Sequence, residues 1–239
     1  MATMPFSPGD SMAQKQLQST TQINTQILFY SNPESSNAAC KGYIYDRMKK
    51  KKEIKVVVVG DGSCGKTSLI IAHSSGQFSE QYIPTAFDDF SVEALVNGKP
   101  DMITVSDTAG EEDFSSMRPL SYPDADVFLV CYSVENTDSL KHIQEKWVPE
   151  IRHFCPNTPI VIIGNKKDIR DENNRPVVSI EEAEQVARKA SGVSLIECSA
   201  KTKENVKKVF EMAIKSALAY RNRRSNRVVE SIMKLRFVF

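Results

Sequence analysis

The chain is poor in the features that mark secreted, membrane-spanning or nucleic-acid-coating proteins. Its five cysteines are scattered, odd in number and without metal-type spacing, which argues against a disulfide framework and suits a reducing compartment. No apolar run reaches the roughly 20 residues that a bilayer-crossing helix needs. The start carries no charged region followed by a long apolar run, and residue 2 is Ala2, so neither a secretory signal nor myristoylation is expected. No cysteine follows Cys198, so no C-a-a-X box is available for prenylation. Lys and Arg number 31 against 30 Asp and Glu, a net charge of +1 that gives no global field toward nucleic acid. No nucleic-acid partner is expected, and an anionic partner must be met by a local patch. The expected location is the cytoplasm, with peripheral contact at the inner face of the plasma membrane or another membrane left open.

What the chain has is enough for one core. With 239 residues, 41% of them hydrophobic, one substantial domain can be buried, and the flanks are too polar or too short for a second. Residues 1–52 read as a disordered extension: Gln14, Gln16, Gln18, Gln22 and Gln26 are interspersed with Ser, Thr and Asn, and no helical or strand period is sustained. It ends in Arg47 and Lys49 to Lys52, a solvated linker or a contact for an anionic membrane. Residues 53–221 form the expected domain. Residues 222–239 are expected to form a basic amphipathic tail, with Val228, Val229, Ile232, Met233, Leu235 and Phe239 at near-helical spacing and Arg221, Arg223, Arg224, Arg227, Lys234 and Arg236 around them. Such a tail can lie on an anionic membrane or dock its apolar stripe on a protein surface.

Within the domain, strands are expected at Ile54–Val59, Phe90–Leu95, Met102–Ser106, Val127–Ser133, Ile160–Gly164 and Ser194–Glu197. Asn97-Gly98 is a hairpin signal that makes the second and third antiparallel. Helices are expected after Lys66 and over Asp138–Phe154, Ile180–Ala190 and Glu204–Arg221, and Ser179 with Glu182 has capping-box spacing. The alternation implies a doubly wound α/β sheet with ligand loops at the carboxyl ends of its strands.

The chemistry begins at Gly60-Asp61-Gly62-Ser63-Cys64-Gly65-Lys66-Thr67, which fits G-x-x-x-x-G-K-[ST] directly after a strand. Glycines let successive backbone N–H groups close around phosphate oxygens. The helix N-terminus adds partial positive charge, Lys66 a mobile cation and Thr67 a hydroxyl for Mg²⁺. Cys64, inside this loop, is either a packed small residue or a thiol acidified by Lys66 and the helix end. After a later strand comes Asn165-Lys166-Lys167-Asp168. A carboxylate such as Asp168 accepts two hydrogen bonds at once, matching the ring N–H and exocyclic amine of guanine, whereas adenine presents the reverse pattern. GTP is therefore expected over ATP.

With these motifs the chain resembles a Ras-superfamily small GTPase. Asp107-Thr108-Ala109-Gly110 matches the Mg²⁺ and γ-phosphate sensor, Thr85 the first switch, and Cys198-Ser199-Ala200-Lys201 the second guanine loop. The segments Phe78 to Phe87, Arg118 to Tyr122, Lys146 to Glu150 and Arg152 to Pro156 resemble the Rho branch, and the resemblance covers roughly Ile54 to Ala219. It implies a P-loop G domain with a six-stranded mixed sheet flanked by helices on both faces. It also implies a GTP/GDP switch in signalling and cytoskeletal regulation, with effectors, exchange factors and GTPase-activating proteins as partners. Thr67, Thr85 and Asp107 would hold Mg²⁺, Asp107 through water. Lys66 and the loop from Gly60 to Thr67 would bind phosphates, and Gly110 would sense the γ-phosphate. Phe78, Tyr82, Asn165, Lys166, Asp168, Ser199, Ala200 and Lys201 complete the nucleotide pocket, and Glu111, Lys66 and Thr85 are the catalytic candidates.

The departures are as informative. Glu111 stands where the family has the glutamine that orients the attacking water; a carboxylate cannot donate to the γ-phosphate, though it could act as a base. Ser106 replaces the aromatic residue by which exchange factors distinguish Rho members. Between Asp168 and Ser199 the chain is shorter than in Rho proteins, so their insert helix is expected to be reduced or missing. Two readings stay open: a cycling hydrolase, which Gly62 favours by leaving room for water and an activator's arginine, and a mostly GTP-loaded binding module, which Glu111 and Ser106 favour.

Overall fold

The computed structural model describes residues 53–79, 85, 87–96, 98–171, 177–190 and 194–236, with side chains of the last helix given as far as Asn226. The expected N-terminal extension and Tyr82 lie outside those residues, as do the side chains of the tail's apolar stripe.

The strand β1 (Ile54–Gly60) is, apart from the half-buried Lys55, a run of β-branched residues buried on both faces, as a central parallel strand must be. Around it the sheet runs β2-β3-β1-β4-β5-β6, with β2 (Phe87–Val96), β3 (Lys99–Thr108), β4 (Val127–Ser133), β5 (Ile160–Asn165) and β6 (Ser194–Glu197). The β2–β3 pair is antiparallel and the others are parallel. This is the expected six-stranded mixed sheet. The hairpin pairs Val96 with Lys99, leaving a two-residue loop in which Gly98 has φ 76, the left-handed conformation glycine adopts without strain. Both hairpin strands outrun their expected bounds, because the ladder carries Asp88, Asp89, Pro100 and Asp101, all poor strand formers, into the sheet.

Alternation along the strands splits the core in two. Val56, Val58, Leu129, Cys131, Val161 and Ile163 face one layer, formed with Leu69 and Ile70 of α1 (Lys66–Ser74) and Val209, Phe210 and Ala213 of α5 (Val206–Arg236). Val57, Val59, Phe128, Val130 and Ile162 face the other, formed with residues of α2 (Thr137–His142), α3 (Val148–Phe154) and α4 (Ile180–Lys189). Asn136 caps α2, accepting from Asp138 and Ser139 N–H, and Ser179 with Glu182 forms the expected capping box on α4.

Two helical expectations need correction. The expected helix Asp138–Phe154 is interrupted by a π-helical turn, Ile143–Trp147, in which the N–H of Val148 reaches the carbonyl of Ile143. Pro149 has no N–H for the carbonyl of Glu145, so the ladder widens just before it. The last helix starts at Val206 and runs unbroken to Arg236, so no backbone break separates residues 222–236 from the domain. Between the 3₁₀ turn Lys167–Asp171 and α4, the described residues contain no further helix.

Candidate nucleotide-binding site

The loops after β1, β3, β5 and β6 emerge at the carboxyl edge of the sheet, where β1 lies between β3 and β4. After β1 the chain turns sharply: Gly60 has φ 144, and a Cβ there would sit 2.2 Å from the carbonyl oxygen of Cys131. Ser63 and Gly65 also take positive φ, 60 and 87, and Gly65 caps α1. Lys66 is buried and donates to the carbonyls of Gly60 at 2.9 Å and Asp61 at 2.8 Å, which lays its ammonium across the mouth of the loop. Gly110 rests against the same loop, since a Cβ would lie 2.4 Å from Gly62 N and 2.5 Å from Gly60 O. Cys64 is buried, and desolvation pushes its thiol up against the lowering charge of Lys66, so it is a packed residue rather than an activated one.

Three oxygen-bearing side chains converge beside Lys66. The Thr67 hydroxyl donates to Asp107 Oδ2 at 2.5 Å and lies 2.9 Å from the Thr85 hydroxyl. Asp107 is buried, and burial raises its carboxyl above the usual range. Its Oδ1 has no hydrogen-bond partner among the described residues. One carboxylate, with one of its oxygens orphaned and buried, and two hydroxyls form a hard-oxygen set that suits Mg²⁺, which keeps most of its ligands as water.

The loop after β5 is tied to the phosphate loop by Asn165, whose Nδ2 donates to the carbonyls of Cys64 at 3.1 Å and Gly65 at 3.0 Å. Its Oδ1 accepts from Lys166 N at 2.8 Å and Ala200 N at 3.2 Å, binding in the loop after β6 as well. Asn165 thus braces three loops. Ser199 donates to Asp168 Oδ1 and accepts from Thr202 N, which fixes the carboxylate between the two last loops. Lys166 takes φ 63 and pairs with Glu135 across the mouth, Lys201 is exposed at the rim, and Phe78 is exposed after α1.

Glu111 follows Gly110 and is exposed at the start of the 3₁₀ turn Glu112–Phe114. Motif reading did not foresee what lies behind it. Arg118, with no exposed side-chain area, makes a two-pronged ion pair with Glu150, 2.9 and 3.0 Å, and donates to the carbonyl of Ala109 at 2.8 Å. Its guanidinium lies 4.6 Å from the Trp147 ring centroid, and Tyr122 donates to the same Glu150. Burial and the Glu150 charge raise the Tyr122 phenol far above its ordinary value, so it stays a donor. A basic residue fully buried next to the Asp107–Gly110 segment could have been suspected only from Arg118 standing between apolar neighbours in sequence.

A model of the Ras family matches residues 55–219, which is more than half of the chain and contains every loop described above. The fold is that of the P-loop GTPases, and the chain belongs to the Ras family of small GTP-binding proteins.

Proposed function

We propose that this protein is a Rho-like switch that binds GTP and GDP with Mg²⁺ and engages effectors through segments near Phe78–Phe87 and Gly110–Tyr122. The observation that carries this reading is the Asn165 brace, which ties the phosphate loop and the Asp168 loop together at one end of the sheet. Lys66 and the loop N–H groups bind the phosphates, and Asp168, positioned by Ser199, reads the guanine edge. Lys166, Ala200 and Lys201 line the base. Bound Mg²⁺ would neutralise charge on the β- and γ-phosphates. Thr67, Thr85 and Asp107 hold it, and Gly110, against the phosphate loop, feels the γ-phosphate. The exposed side chains of Met117 and Leu120 offer effectors an apolar patch beside Glu111.

Hydrolysis is slow and weakly stimulated, because Glu111 can accept a proton from the attacking water but has no donor for the γ-phosphate. Ser106 is buried in β3, which removes the aromatic feature Rho exchange factors read. These two positions support the second reading, a largely GTP-loaded binding module. The last helix, continued by the basic tail, is proposed to touch an anionic membrane. Single-turnover hydrolysis with and without a Rho-type activating protein tests the switch. Glu111→Gln is expected to gain the activator response that the natural chain lacks, and strong stimulation of both alike would remove Glu111 from the argument.

A further inference from the structure

Asp61 belongs to the phosphate loop, yet its side chain bonds to the end of α2 and to the π turn that follows it. Trp147 Nε1 donates to Oδ1 at 2.8 Å, and His142 Nδ1 lies 2.7 Å from Oδ2. The two donors are five residues apart. In a regular α-helix they would point about 140° apart, but the π turn, with its i to i+5 repeat, brings them onto one face. Trp147 is in turn covered by Arg118, and Arg118 holds the carbonyl of Ala109 next to Gly110. Gly110 rests on the Asp61–Gly62 peptide, closing a circuit from phosphate loop to helix to γ-phosphate segment and back.

From this circuit we propose that His142 is a positioning residue for the phosphate loop, and that its protonation tightens the hold on the nucleotide. The inference rests on the GTP-binding reading above. An indole N–H holds Asp61 at any pH, whereas an imidazole holds it more strongly when charged, because the bond becomes charge-assisted. Protonation also cancels the Asp61 carboxylate charge beside a site that must accept a polyanion. The groups near His142 are Asp61 from the loop, Asp138 and Lys141 from its own helix, Lys146 from the π turn that continues it, and Glu112 from the switch side. Asp138 is paired with Lys141 and Glu112 with Lys146, whereas Asp61 has no Lys or Arg side-chain partner in its described contacts. The imidazole side chain is 43% exposed, so solvent reaches it.

The experiment measures release of a fluorescent GTP analogue and of its GDP counterpart from the full chain between pH 6 and pH 8.5. The variants are His142→Asn, which keeps a donor that does not titrate, and Trp147→Phe. GTP release from the natural chain should slow severalfold between pH 8.5 and pH 6, because a charge that offsets Asp61 lowers the repulsion felt by a bound polyanion and does nothing for the empty site. GDP release should slow less, and His142→Asn should be flat with pH. Trp147→Phe should release nucleotide faster at every pH yet keep the slope. An NMR titration of the His142 imidazole should show a higher pKa with GTP bound than without, a change that a merely structural histidine would not make. Equal pH slopes in the natural chain and His142→Asn, or an imidazole pKa unmoved by GTP, would overturn the proposal. Failure of the natural chain to bind guanine nucleotide at any pH would instead strike the underlying reading, and the inference with it.

Discussion

Replacing Glu150 by glutamine should destabilise the protein strongly, because no other carboxylate is paired with the buried Arg118 among its described contacts. The guanidinium is fully buried, and Glu150 takes two of its hydrogen bonds. Breaking one side of a buried ion pair costs about 3–5 kcal/mol, since the remaining charge stays desolvated. Two features reduce that: the glutamine oxygen still accepts one bond, and the Ala109 carbonyl and Trp147 ring still face the cation. About 2–4 kcal/mol is therefore expected. With a urea slope on the order of 2 kcal/mol/M, the unfolding midpoint should fall by about 1–2 M with little change in slope. Arg118→Met removes the buried charge itself, so the pair Arg118→Met with Glu150→Gln should lose less than the sum of the single changes by at least about 1 kcal/mol. A midpoint shift under about 0.3 M for Glu150→Gln, or strict additivity in the pair, would show that the ion pair does not hold the switch segment to the helix.

His73, stacked on Phe210 at 3.9 Å, has its imidazole pushed below 6.5 chiefly by burial. The unfolded chain therefore binds the proton more tightly, so stability present above about pH 6.5 is lost as pH falls toward the folded-state value. In urea unfolding at several pH values, His73→Phe should keep the stack and lose part of that acid sensitivity; an unchanged pH profile would refute the assignment. For the basic tail, a chain ending at Asn226 keeps the Arg221 ion pair with Asp126 and should pellet with anionic liposomes less than the full chain at low salt, and equal pelleting would end the membrane reading.

Which parts of this were legible beforehand follows from the range of the forces involved. β1 from Val56 and β5 up to Gly164 are continuous apolar runs because both faces are buried, so each was visible without knowing its neighbours. The ends of β2 and β3 were not, since Asp88, Asp89 and Pro100 enter the sheet through pairing with the partner strand rather than by preference. Pro149 marked a weak point in the second long helix, but the π turn depends on where Trp147 finds its acceptor, Asp61, 86 positions away. Motif spacing placed Asn165 at the site but could not say which way its amide points. Its side chain braces loops, a role set by contacts with Cys64, Gly65 and Ala200. The Arg118–Glu150 pair spans 32 positions and leaves no periodic trace in the chain.

The central claim is that a guanine nucleotide occupies the crevice between the phosphate loop and Asp168, and direct titration of the full chain with GTP and with ATP in the presence of Mg²⁺ tests it most closely. GTP should bind at least about a thousandfold more tightly than ATP, because a site built to pair with one base edge leaves buried polar groups unmatched by the other. The same titration on Asp168→Asn, which trades an acceptor for a donor, should weaken GTP and favour a xanthine nucleotide. Equal affinity of the natural chain for GTP and ATP would contradict the account.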